Sequence, residues 1–110
     1  MLHLVIDEFD MSRIPADKMA EAIGMGKVHN AALKAAQQKG MLKQWWALAD
    51  KPGNVMLWES GSLEELTMNL ASLPANPIVN REVFPLVPSD FIIKELMPRL
   101  EEMFKLRPNK

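Results

Sequence analysis

Hydrophobic and polar positions along residues 2–9 follow the two-residue period of a strand, with Leu2, Leu4 and Ile6 on one face. His3, Val5 and Asp7 occupy the other. A connection follows, and Pro15 suits the first turn of a helix, where its missing N–H costs nothing. Residues 16–39 are dense in Ala, Lys, Gln, Met and Glu, good helix formers, and Gly40 is a natural stop. Met19, Ile23, Gly26, Leu33 and Ala36 form the apolar stripe of this helix, with His29 or Asn30 between them. Mid-helix, Gly26 costs roughly 1 kcal/mol relative to Ala, which a close approach by a backbone or a ligand would explain.

Residues 41–49 and 54–59 read as strands joined by the turn residues Asp50, Lys51, Pro52 and Gly53, hence an antiparallel hairpin. The second strand runs straight into Ser62-x-x-Glu65, a capping box in which Ser62 accepts from the Glu65 amide and Glu65 reaches back to the Ser62 amide. Leu63, Leu66, Leu70 and Leu73 mark one buried helix face, and Pro74 stops the helix. A last strand covers residues 78–87.

The order β-α-β-β-α-β predicts a ferredoxin-like α+β fold: an antiparallel four-stranded sheet with helices on one face, residues 1–88. Apolar residues on both strand faces, such as the adjacent Trp45 and Trp46 or Leu57 and Trp58, leave one face needing cover. The expected cover is a second copy packed sheet to sheet, as a homodimer or larger homo-oligomer of dimeric α+β barrels. Residues 89–110 form a C-terminal helical extension, expected in two pieces because of Pro98. Phe91, Ile92, Ile93, Leu96, Leu100, Met103 and Phe104 make it too apolar for a free tail. It should pack on the domain or on a partner subunit.

Composition narrows the function classes. The 110 residues suit one domain, and 48% hydrophobic with 25% charged residues suits a soluble globular protein. A net charge of −1 gives no electrostatic reason to expect nucleic acid or a membrane surface. No apolar run is long enough to span a bilayer, and the start lacks the features of a signal peptide. With no cysteine, the cytoplasm is the expected compartment; two histidines without cysteine argue against a metal site.

Two residues stand out as candidate acid–base groups. His29 lies on or beside the helical stripe, and an imidazole with an ordinary pKa near 6.5 suits proton abstraction at neutral pH. The bland alternative is a histidine hydrogen-bonded to a neighbouring strand. Glu82 sits mid-strand; facing inward it would shuttle a proton, and facing outward it would be a solvated glutamate paired with Arg81 or Lys43. Asn30 could orient a carbonyl or oxyanion. Trp46 and Trp58 are candidates for stacking on a planar ligand, against the plainer role of core or interface. His3 could join the same pocket or sit at a strand edge. Gly-rich phosphate loops, Ser/His/Asp arrangements and metal-spaced clusters are absent from the sequence.

One ordered set of residues resembles a known family. It comprises Gln38, Lys39 and Gly40, then Trp45, Asn54, Val55, Glu59, Ser62, Glu65, Leu66, Leu70, Leu73, Pro74, Pro77, Glu82, Val83, Pro85 and Leu86. The pattern is similar to that of the muconolactone Δ-isomerases and covers residues 1–86. The resemblance implies a ferredoxin-like domain that assembles into dimers and rings. It also implies a cofactor-free allylic proton shift moving a C=C bond within a small unsaturated lactone, as in aromatic-compound catabolism. In this alignment the family's helical Lys and Glu fall near Gly26 and on His29, its first-strand His on Leu4, and its second-helix His on Thr67. An Arg after the shared Trp45 is Trp46 here, and aromatic residues near Pro74 are replaced by Ala75, Asn76 and Ile78. The leading expectation is an isomerase-like enzyme acting on a small enolisable substrate, with His29 as base and Glu82 or water returning the proton. The alternatives are a cofactor-free monooxygenase or polyketide cyclase on an aromatic substrate, and a non-catalytic binding or assembly module.

Overall fold

In a computed structural model, which describes residues 1–105, four strands form one sheet in the order β2-β3-β1-β4. They are β1 (Leu2–Phe9), β2 (Leu42–Ala47), β3 (Gly53–Glu59) and β4 (Val79–Leu86), each antiparallel to its neighbours. Helices α1 (Met19–Gln38) and α2 (Leu63–Ala71) complete the expected β-α-β-β-α-β order. After Pro15, a short 3-10 turn over Ala16–Lys18 leads into α1.

Local chemistry accounts for most boundaries. Gly40, at φ +79°, ends α1 with the Gly40 amide bonded to the Gln37 carbonyl and the Met41 amide to the Ala36 carbonyl. That paired pattern satisfies carbonyls the helix would leave bare, in a conformation glycine adopts without strain. At Gly53 a Cβ would lie 2.4 Å from the Asp7 carbonyl oxygen, so the hairpin closes only over a glycine. The Ser62 hydroxyl accepts from the Glu65 amide at 3.1 Å, as expected of the cap. The Glu65 carboxylate instead reaches the Gly61 amide, one residue earlier than expected, at 2.8 Å.

The helices cover the sheet face that carries His3, Val5 and Asp7, all buried. Val5, Leu33, Leu42, Met56, Trp58, Leu66 and Leu70 make the core on that side. A fully buried side chain such as Leu33 contributes about 1.5–3 kcal/mol. A register shift in β2 between Leu42 and Gln44 puts Trp45 on the covered face with Leu42, and Trp46 on the open one, opposite Val55. The open face carries Leu2, Leu4, Ile6, Val55, Leu57, Phe84 and Leu86. Leu2, Trp46, Phe84 and Leu86 are exposed there.

The extension departs from its expected two pieces. Residues 89–104 are one continuous helical rod: α3 (Ser89–Phe91), a π-helical stretch (Ile92–Leu96) and α4 (Met97–Phe104). The wider turn falls immediately before Pro98, where an ordinary α-turn would drive the pyrrolidine ring into the preceding carbonyl. The rod projects from the domain. The chain is 68 Å long with a radius of gyration of 19.0 Å, against about 13 Å for a compact chain of this length. Phe91, Ile93, Met97, Met103 and Phe104 are exposed. Residues 106–110 of the expected extension lie outside the described residues. Among the described residues no helix is long and apolar enough to cross a membrane.

Candidate functional site

The C-terminal half of α1 packs as its stripe requires, with His29, Leu33 and Ala36 buried. Its N-terminal half stands off the sheet, leaving Met19 and Ile23 exposed. Beneath it lies a cavity of about 240 Å³. Ala22, Ile23, Met25, Gly26, His29 and Asn30 wall one side, successive turns of a single helix face. Phe9 at the end of β1, Met11 and Ile14 of the connection, Pro52 of the hairpin turn, Ala75 and Ile78 close the rest. No close backbone contact accounts for Gly26: nothing lies within 4 Å of where its Cβ would be.

His29 is 1% exposed. The Ala75 amide donates to its Nδ1 at 3.2 Å, and Phe9 meets the ring edge-on, centroids 5.6 Å apart. Its Nε2 is buried without a hydrogen-bond partner among the described residues. Burial pushes the imidazole below its usual pKa of 6.5; the Asp7 charge pulls it back up and the Arg81 charge pushes it down again. The ring is therefore neutral at pH 7. Because Nδ1 accepts from an amide, it keeps its lone pair and the single proton sits on Nε2. In this arrangement the neutral ring carries a hydrogen-bond donor at Nε2. The hydrogen bond to a neighbouring segment, the bland alternative, is real, and it coexists with the cavity.

An ion pair with its carboxylate buried and its guanidinium partly exposed adjoins that segment. The Arg81 guanidinium donates to both Asp7 carboxylate oxygens, at 2.7 and 2.9 Å, and to Asn76 Oδ1 at 2.9 Å. The Asn76 amide in turn donates to the Leu70 and Ala71 carbonyls at the end of α2, at 2.8 and 3.1 Å. Ala75, the donor to His29, is the neighbour of this clamped residue. Sequence reasoning missed Asp7, Arg81, Phe9 and the Ala75 amide. Asp7 shares a strand face with Val5, a hint of inward placement, but its partner lies 74 positions away.

The other candidates lie elsewhere. Glu82 is exposed and pairs across the sheet with Ile6, so it sits on the open face, opposite to His29. Directly paired residues share a sheet face, and adjacent ones do not. Glu82 is thus the solvated glutamate of the alternative, without the expected Arg81 partner, which belongs to Asp7. Trp46 is 54% exposed on the same open face. His3 and Trp58 face each other in the core. They lie six residues along β1 from Phe9, roughly 20 Å from the cavity. His3 is buried rather than at an edge, with Nδ1 unpartnered, as is Trp58 Nε1. Asn30 is exposed at the cavity wall. Of the candidate residues the structure therefore brings together His29 and Asn30, and separates them from Glu82, Trp46, Trp58 and His3. Among the described residues no group of three His, Cys, Asp or Glu is placed to hold a metal.

Comparison with known proteins agrees with this architecture. No curated protein sequence matches the chain. The crystal structure of muconolactone isomerase superposes with a TM-score of 0.70 at 25% identity, covering 80% of this chain and 90% of that one. The family model for muconolactone delta-isomerase matches residues 1–90, which takes in the whole sheet, both helices and the His29 cavity and stops at the start of the projecting rod. The chain belongs to the muconolactone delta-isomerase family.

Proposed function

We propose that this protein is a cofactor-free, isomerase-like enzyme that moves a C=C bond by proton transfer in a small cyclic, enolisable carbonyl compound such as an unsaturated lactone. The observation that carries this is the neutral His29 ring lining an apolar cavity, its Nδ1 taken by the Ala75 amide and its Nε2 buried without a partner among the described residues. The Nε2–H donates to the substrate carbonyl oxygen. As the allylic C–H proton leaves, charge gathers on that oxygen, and a donor already in place stabilises the enolate; one such donor is worth about 10²–10³ in rate. The proton passes to water at the mouth beside Asn30 and returns to the far carbon of the conjugated system. No electrons are exchanged with a second reactant.

In D₂O the protein should exchange allylic hydrogens of a neutral butenolide and shift the double bond, followed by ¹H NMR. His29→Leu, which fills a similar volume without an N–H donor, should lose about 10²-fold or more. Unchanged turnover in that variant defeats the proposal. Aldol cyclisation of an aromatic precursor begins with the same enolate, and a cavity of 240 Å³, larger than one ring needs, favours that second reading.

We further infer self-association. Leu2, Trp46, Phe84 and Leu86 form an exposed apolar strip on the open sheet face, and the rod beyond residue 88 supplies a second apolar surface for a partner copy. The purified chain should elute well above its 12.4 kDa monomer mass.

A further inference from the structure

From the lining of the His29 cavity we infer that it takes an uncharged bicyclic carbonyl compound and excludes carboxylates. This rests on the cavity being the working site proposed above. Phe9, Met11, Ile14, Ile23, Met25 and Ile78 present hydrocarbon or thioether surface, and no lysine or arginine lines the cavity among the described residues. Arg81, half-buried outside the lining, is spoken for by both oxygens of Asp7, by Asn76 and by the Leu70 carbonyl. An adjoining groove shares Ile14, Ala22 and Met25 and does hold Arg13 and Lys18. Each of those already faces a carboxylate, Asp10 at 3.4 Å and Glu21 at 3.5 Å, so the groove offers no unmatched positive charge.

A carboxylate entering the cavity would lose its hydration and meet only neutral polar groups, the Asn30 amide and the His29 ring with its buried Nε2–H. A carbonyl oxygen surrenders far less hydration and is satisfied by one such donor. Size points the same way. A dry cavity of about 150 Å³ holds benzene, and the 240 Å³ here leaves room for a second ring.

The test is equilibrium binding by calorimetry with two shape-matched probes, 1-tetralone and 1,2,3,4-tetrahydro-1-naphthoate. The intact protein should bind the ketone at least about 100-fold more tightly, the penalty for an unpaired charge in an apolar site. Gly26→Lys should raise affinity for the carboxylate at least about tenfold, since position 26 opens on the cavity and lysine is a better helix former than glycine. Equal or tighter binding of the carboxylate by the unaltered protein overturns the inference, as does failure of the ketone to bind at millimolar concentration. The proposed reaction is judged separately, by α-deuteron exchange of 1-tetralone and the butenolides. Selective ketone binding without exchange sinks the proposed chemistry and leaves the ligand class standing. Turnover of muconolactone with tighter carboxylate binding does the reverse.

Discussion

Replacing Arg81 by Ala should be among the most damaging single changes to this domain. The Asp7 side chain is fully buried, and its two oxygens receive the two guanidinium hydrogen bonds at 2.7 and 2.9 Å. Truncating Arg81 strands that carboxylate among core side chains. Removing one partner of a buried pair costs about 3–5 kcal/mol, and losing the bond to Asn76 adds about 1 kcal/mol. A total near 5 kcal/mol, with an m-value of about 1.5 kcal/mol/M, lowers the urea midpoint by just over 3 M. That is a large part of the total stability of a domain this size. Replacing both partners, Asp7→Leu with Arg81→Leu, removes the stranded charge and should recover most of the loss, since apolar substitutes for a buried pair are often neutral or better. The assay is urea denaturation at fixed protein concentration, followed by tryptophan fluorescence. A loss under 1 kcal/mol for Arg81→Ala, or strictly additive effects in the double variant, would refute the reasoning. So would an unchanged His29 imidazole ¹⁵N spectrum, because Arg81 clamps the segment whose Ala75 amide holds that ring in its Nε2–H form.

His29 itself makes stability pH-dependent. Its folded-state pKa lies below the ordinary 6.5, so the unfolded chain binds the proton more readily. Stability is then full above pH 6.5 and falls as the pH drops through 6.5 toward the folded value; in His29→Gln that slope should flatten between pH 7 and 5, and an unaltered slope would assign it to other groups. Ser62→Ala removes the acceptor for the Glu65 amide and should cost about 1 kcal/mol of thermal or urea stability. Truncation after Pro88 should leave the domain's circular dichroism intact, since the rod stands clear of the core, and reduce the elution mass if the rod serves a partner copy. An unchanged elution volume would remove the rod from the interface.

What the sequence determined by itself was the succession of elements. Alternation marked β1 at Leu2–Phe9, Gly40 marked the end of α1, Ser62 the start of α2, and these signals act over four or five residues, within reach of pattern alone. Alternation also states which residues share a strand face. It cannot state which face is covered, because both carry apolar residues, and that choice assigned Val5 and Asp7 to the core and Ile6 and Glu82 to the open side. Only the tertiary structure made it, through contacts far apart in the chain: Asp7 with Arg81, and His29 with the Ala75 amide 46 positions away. The second of these also decided the chemistry of His29. An imidazole is donor or acceptor according to what its other nitrogen meets, and no local pattern along α1 specifies that partner.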